Sequence, residues 1–164
     1  PWAFFKNSRP VLVTAFSTSS SNATLPTSLA IAQEELKLRP TTSGFVLPLG
    51  ATMNMSGTAL FEGCVVLFIA QVFGVELSLA TQVIMLLLAV LSAVAVSGIP
   101  GGSLPMIAGL LATFGIPPEG IGIIIGVDRL LDMARTTVNV GSDIVTAQIV
   151  DDSLKRAEAR NGRA

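Results

Sequence analysis

Five polar residues recur along one stretch of this chain at helical spacing. Asp128, Asp132, Arg135, Asn139 and Asp143 stand four, three, four and four residues apart. At about 100° per residue they share a stripe roughly 80° wide on one helix face. A guanidinium presents a fixed fork that matches a carboxylate, and a carboxylate one turn away can accept from an ammonium. Arg135 and Asp132 therefore suit the opposite ends of an acidic amino acid. Asn139 and Asp143 add hard oxygen atoms, which favour Na⁺ over a soft metal. The plainer alternative is a purely internal salt-bridge network, Asp128 or Asp132 with Arg129 or Arg135, and such networks are costly to bury.

The surroundings of that stripe are apolar. Of 164 residues 51% are hydrophobic and 13% charged, against about a quarter charged in a soluble domain. Between Arg39 and Asp128 the only charges are Glu62, Glu76 and Glu119. A soluble fold needs more solvated side chains than that to cover its surface, so the sequence predicts an all-α integral membrane protein. A charge at the bilayer centre costs at least about 2.5–3.5 kcal/mol; five polar residues on one face thus require a polar cavity, partners or ions. The net charge of −1 and the lack of a Lys/Arg stripe argue against nucleic acid as a partner. With no His and one Cys, zinc and copper sites are disfavoured, and Ser/His and Cys/His pairs are excluded. No enzyme activity and no organic cofactor are expected. Cys64, in an apolar run, reads as a small buried hydrophobe.

The apolar segments that must position the stripe have awkward lengths. A spanning helix takes about 20 apolar residues. Residues 10–18 run into the polar cluster Ser17–Asn22, and helical sequence resumes at 25–38. Residues 43–73 are long enough to cross but carry Asn54-Met55-Ser56-Gly57-Thr58 at their middle. The most apolar run, 78–97, stops at Gly98-Ile99-Pro100-Gly101-Gly102-Ser103, and the arm that follows, 104–115, is too short to span. A hairpin with a small-residue or hydroxyl tip, then a long helix bearing polar residues, thus occurs twice, over about 1–75 and 76–150. Broken apolar segments in corresponding positions of two halves point to a transporter binding site, since irregular backbone survives at membrane depth only where protein or a water-filled cavity covers it. Ordinary loops between full spans are the alternative.

Basic residues set the orientation. Lys6, Arg9, Lys37, Arg39, Lys155, Arg156, Arg160 and Arg163 lie at one set of ends, and the connections near Glu76 and Glu119 hold only acidic charge. The positive-inside rule puts the basic ends in the cytoplasm. The expected layout is a re-entrant hairpin at 1–39, truncated at its N-terminus, and a broken transmembrane helix at 40–75. A second re-entrant hairpin at 76–116, a transmembrane helix at 117–150 and a solvated cytoplasmic tail at 151–164 complete it. A chain opening at Pro1-Trp2 without Met reads as a C-terminal fragment or one part of a split protein.

Five elements occur in order: Ser19-Ser20-Ser21, Leu47–Thr52, Asn54–Leu60, Gly98–Gly102 and Asp132–Val140. Together they resemble the glutamate/aspartate transporter family, the dicarboxylate/amino acid:cation symporters, over about residues 10–150. Inverted repeats are a known property of that family. The resemblance implies that the chain is hairpin 1, helix 7, hairpin 2 and helix 8, most of an elevator-type transport domain, with a preceding six-helix scaffold absent here and a homotrimer for the complete protein. It implies that Arg135 binds the substrate's side-chain carboxylate with help from Thr58, and that Asp132 binds the amino group, supported by Thr136 and Asn139. Ser20 and Ser21, with the backbone around Gly98, Ile99, Pro100 and Gly101, are implied to hold the main-chain carboxylate. One Na⁺ site follows from Asp143, Asn54 and the carbonyls of Gly50 and Asn139, and another from Thr52 with carbonyls around Ala93–Val96. Hairpin 2 is implied to be the outer gate.

Three positions depart from the family pattern. Many members carry Asn-Met-Asp-Gly-Thr where this chain has Ser56, and that Asp serves a third Na⁺ site, so full three-sodium coupling is not carried over. Glu62 stands where proton-coupled relatives have their proton-carrying Glu, and a carboxyl in an apolar, partly dry site can exchange protons; a solvated or salt-bridged Glu is the alternative. Ser19 replaces an arginine of archaeal relatives, with Arg129 a candidate for the missing cation. The expected function is symport of aspartate or glutamate with Na⁺, and H⁺ as a second candidate ion, in the inner (plasma) membrane, multi-pass, with a cytoplasmic C-terminus. The alternatives are a C4-dicarboxylate symporter, disfavoured by Asp132, a neutral amino acid symporter, disfavoured by Arg135, and a non-transporting fragment or assembly subunit.

Overall fold

The computed structural model describes residues 2–95 and 101–161. Seven α-helices carry the described residues, with no strand among them. They are α1 (Trp2–Thr18), α2 (Ser21–Glu34), α3 (Pro40–Met53), α4 (Ser56–Val72), α5 (Leu79–Ala95), α6 (Leu104–Thr113) and α7 (Ile121–Asn161), the last entered through a one-turn 3₁₀ helix, Pro118–Gly120.

Local chemistry sets most of these boundaries. Ser20 caps α2, its hydroxyl accepting from Ala23 N at 3.2 Å, the usual role of an N-cap serine. Pro40 and Pro105 open α3 and α6, where a missing N–H costs nothing. α4 and α6 end alike. At Gly74 (φ +66°) and Gly115 (φ +68°) the chain turns through the left-handed region. Val75 N then reaches back to Ala70 O at 2.8 Å, and Ile116 N to Leu111 O at 2.9 Å. This double-bonded glycine stop satisfies carbonyls that would otherwise be orphaned. Val75 and Ile116 both join the adjoining apolar core, which fixes the exit direction of each helix.

α3 and α4 form one interrupted rod running antiparallel to α7. Arg39 and Thr42, at the start of α3, bond Asp151 near the far end of α7. Asn54 meets Asp143, Gly57 meets Asn139, and the end of α4 closes on Gly120, where an added Cβ would lie 2.8 Å from Phe73. Two large apolar cores flank this axis, beside a small cluster of Met55, Ala59 and Ala93. α1, α2 and α3 pack on the second half of α7 through Val11, Ala15, Ala32, Leu47, Val140, Ile144 and Ala147. α5 and α6 pack on α4 and the start of α7 through Val66, Ile69, Met85, Ala89, Ile107, Leu111 and Ile124. The polar stripe lies between the two cores.

Three features differ from the sequence expectation or extend it. Cys64 is exposed, not buried. It lies on the side of α4 away from Glu62, Val65, Val66 and Ile69, and a helix whose outer face is also apolar gives no signal of which side is inside. Arg129 is exposed on α7. No break occurs at residue 150: α7 runs on to Asn161, 41 residues in all, or roughly 60 Å at 1.5 Å per residue. That is twice a hydrocarbon core of about 30 Å. The extension is anchored by Asp151, fully buried, which Arg39 Nε (2.7 Å), Lys155 Nζ (2.6 Å) and Thr42 Oγ1 (2.9 Å) surround. Arg39, then Lys155, hold its carboxyl well below the usual carboxylate range.

Among the described residues one stretch, Pro40–Val72, is long and apolar enough to cross a membrane. Large apolar side chains stand on outer faces along the molecule, among them Leu79, Val83, Leu87 and Leu91 of α5 and Ile125 and Leu130 of α7.

Candidate functional site

All five members of the α7 stripe are buried: Asp128, Asp132, Arg135, Asn139 and Asp143 are each 8% exposed or less. Arg135 is the hub. Its Nε and Nη2 lie 2.9 and 2.8 Å from Asp132 Oδ1, and Nη1 is 3.7 Å from Asp128 Oδ1. The Phe61 ring of α4 lies 4.5 Å from Cζ, adding a cation–π contact. Ser103 of α6 also accepts from Nη1, and Gly101 N donates to Asp132 Oδ2 at 2.9 Å. One guanidinium faces two carboxyl groups here, out of water. A buried cluster of that kind favours an incoming ammonium, while the guanidinium favours a carboxylate.

One turn further along α7, Asn139 closes the gap between α3 and α4. Asn54 and Met55 leave the helical region there, and Met55 supplies no capping side chain. The Asn139 carboxamide takes that role from across the interface. Its Oδ1 accepts from Gly57 N at 2.7 Å and Thr58 N at 3.2 Å, and Nδ2 donates to Thr58 Oγ1 at 3.0 Å. Without it two N–H groups at the buried start of α4 would be orphaned. Gly57 makes the approach feasible, since a Cβ there would sit 2.9 Å from Val138 Cβ and against the Arg135 carbonyl.

The third layer holds Asp143. Asn54 Nδ2 donates to Asp143 Oδ1 at 2.9 Å and to Ser142 Oγ at 2.8 Å, and Ser142 Oγ lies 2.9 Å from Ser56 Oγ. Gly50 passes so close that a Cβ on it would fall 2.6 Å from Asp143 Oδ1. A cavity of about 260 Å³ opens here, lined by Gly50, Asn54 and Asp143 with Val46, Leu49, Met53 and Thr146. The lining is mostly apolar; its polar part is the Asp143 carboxylate, the Asn54 carboxamide and the C-terminal end of α3, the negative pole of a helix.

Of the residues singled out by sequence, Asp132, Arg135 and Gly101 come together, as do Thr58 with Asn139, and Gly50 with Asn54 and Asp143. Ser20 and Ser21 are buried at the turn between α1 and α2, and Thr136 is buried on the stripe face. Thr52 stands apart: it is exposed and bonds back to Leu49 O at 2.9 Å. Gly98, Ile99, Pro100 and Val96 lie outside the described residues. Glu62 is fully buried and accepts from Ser92 of α5. Ser142, Ser103, Phe61 and Ser92 were not anticipated. Ser92, a hydroxyl inside the most apolar run, carried a signal; the others are marked only by contacts across 30 or more residues.

Residues 1–153 match the family described as the sodium:dicarboxylate symporter family. The chain belongs to that family. It is 40% identical over its whole length to excitatory amino acid transporter 1 of Ambystoma tigrinum. It is 40% identical over 98% of its length to the human protein of that name, and 39% over 92% to an excitatory amino acid transporter of Caenorhabditis elegans. The chain spans about 30% of the length of each of these symporter-family relatives. All three are named as transporters and none as an enzyme.

Proposed function

We propose that this chain forms the substrate- and ion-binding part of a symporter that moves aspartate or glutamate together with Na⁺. The observation that carries the reading is the buried pairing of Arg135 with Asp132 one helical turn apart. Arg135 receives the substrate's side-chain carboxylate in a bidentate grip, and Asp132 receives its ammonium. A dicarboxylate brings no ammonium to Asp132, and a neutral amino acid leaves Arg135 without an anion. Thr58, Thr136, Asn139, Ser20, Ser21 and the tip around Gly98–Gly101 complete the pocket. Na⁺ sits among Asp143, Asn54 and the carbonyls of Gly50 and Asn139, and a second ion uses Thr52 with the carbonyls of Ala93–Val96. Glu62 carries a proton.

Support for the ion site comes from the cavity beside Asp143, and for the proton from a fully buried Glu62 whose Oε1 has no hydrogen-bond partner among the described residues. α1–α2 and α5–α6 act as re-entrant hairpins, the second as the outer gate. The α3–α4 rod and α7 cross the membrane, and the α7 extension lies in the cytoplasm. The assembly moves as an elevator against the remainder of a homotrimeric, multi-pass protein of the inner (plasma) membrane. The family and its relatives support this layout.

Labelled L-aspartate uptake by the complete protein in proteoliposomes, with Na⁺ and pH gradients imposed separately, tests it. Uptake driven by Na⁺ and enhanced by inward H⁺, with the H⁺ effect lost in Glu62→Gln, is expected. Transport of succinate or serine in place of aspartate contradicts the substrate assignment.

A further inference from the structure

Both poles of the Asp132–Arg135 pair are already occupied by a segment of the chain itself. Ser103 Oγ accepts from Arg135 Nη1, where a substrate carboxylate oxygen belongs. Gly101 N–H donates to Asp132 Oδ2 at 2.9 Å, where an ammonium belongs. The left-handed turn at Gly101 (φ +74°) lies between α5 and α6 at this point. Ser103 is 1% exposed and Arg135 6%, so neither group has bulk water as an alternative partner. Ser103 is also the N-cap of α6, yet its hydroxyl makes no capping bond to that helix. A serine at an N-cap ordinarily spends its oxygen there; this one serves Arg135.

We infer that Gly101–Ser103 is a built-in placeholder for the substrate, and that Ser103 is a specificity-determining residue competing with the substrate carboxylate for Arg135. The inference rests on the substrate reading above. In the empty site the hydroxyl keeps the guanidinium from being left short of acceptors, which is costly in a buried setting. An incoming carboxylate displaces it, because it offers the guanidinium two oppositely charged oxygens in a bidentate pair where the hydroxyl offers one neutral oxygen. A hydroxyl or amide side chain on the ligand gains no such advantage and leaves Ser103 in place. The tip therefore raises the threshold for ligands lacking the second carboxylate.

Isothermal titration of L-aspartate and L-serine into the complete protein at saturating Na⁺ tests this. Ser103→Ala is expected to tighten L-aspartate binding about 3- to 10-fold, the size of one lost competing hydrogen bond, without tightening L-serine. Ser103→Thr, which keeps the hydroxyl, is expected to bind like wild type. Ser103→Gly, well accepted at an N-cap, should repeat the alanine result if the alanine variant does not fold. Weaker aspartate binding in the variants makes Ser103 a substrate ligand and overturns the inference; unchanged binding overturns it too. A wild-type protein that binds neither amino acid removes the substrate reading and the inference together, whereas normal wild-type binding with no gain in the variants removes the inference alone.

Discussion

At the scale of single residues, the site is governed by how few polar groups share a dry space. Arg135 holds Asp132 directly and Asp128 at longer range, so Arg135→Ala leaves two buried carboxylates without their cation. Loss of one partner of a buried pair costs about 3–5 kcal/mol, and the variant should melt well below wild type in a thermal unfolding scan. Asp132→Asn is a gentler probe. It keeps the shape but removes the charge proposed to receive the substrate's ammonium, so aspartate affinity should fall at least about 30-fold, the effect of losing roughly 2 kcal/mol, in a calorimetric titration. The stripe that contains these residues was legible because the helical period alone places Asp128, Asp132, Arg135, Asn139 and Asp143 on one face. Their partners were not. Ser103 and Ser142 are ordinary small polar residues, and only the approach of α6 and α3–α4 to α7 gives them a role.

Among the elements, the interruption between α3 and α4 is the informative one. Asn54–Thr58 was visible in the sequence as a polar break within an apolar run, but not what stabilises it. The break contains no proline, and the cap it needs comes from Asn139, 82 residues beyond Gly57. Asn139→Ala uncaps Gly57 and Thr58 and should lower stability by about 1–3 kcal/mol, measured by thermal or denaturant unfolding of the complete protein. Gly57→Ala attacks the same contact from the other side, with a Cβ too close to Val138; overpacking of about 1–3 kcal/mol is expected. Residues 151–161 read as a solvated tail because they are mostly charged and exposed; that they continue α7 and are anchored by the buried Asp151 is visible only in the structure. Because the Asp151 carboxyl is held below its unfolded value, its contribution is fully present at neutral pH. It fades as pH falls through and below the ordinary carboxylate range. Wild type should therefore lose melting temperature on acidification more steeply than Asp151→Asn.

For the whole molecule, two apolar cores clamp a polar seam, and the outside is apolar as well. That inversion explains the misreading of Cys64: in a chain apolar on both sides, hydrophobicity identifies a helix without saying which face is inside. It also makes Cys64 a reporter. With Cys64 as the sole cysteine of the complete protein, a lipid-soluble maleimide should label it in intact membranes and a membrane-impermeant one should not. The central claim is that the Arg135–Asp132 pair and the cavity beside Asp143 act together, one for the amino acid and one for Na⁺. The most direct test is calorimetric titration of L-aspartate into the purified complete protein over a range of Na⁺ concentrations, for wild type and Asp143→Asn. Affinity that rises steeply with Na⁺ in wild type, and loses most of that dependence in Asp143→Asn, is the predicted result. Aspartate binding indifferent to Na⁺, or equally Na⁺-dependent in the variant, would contradict it.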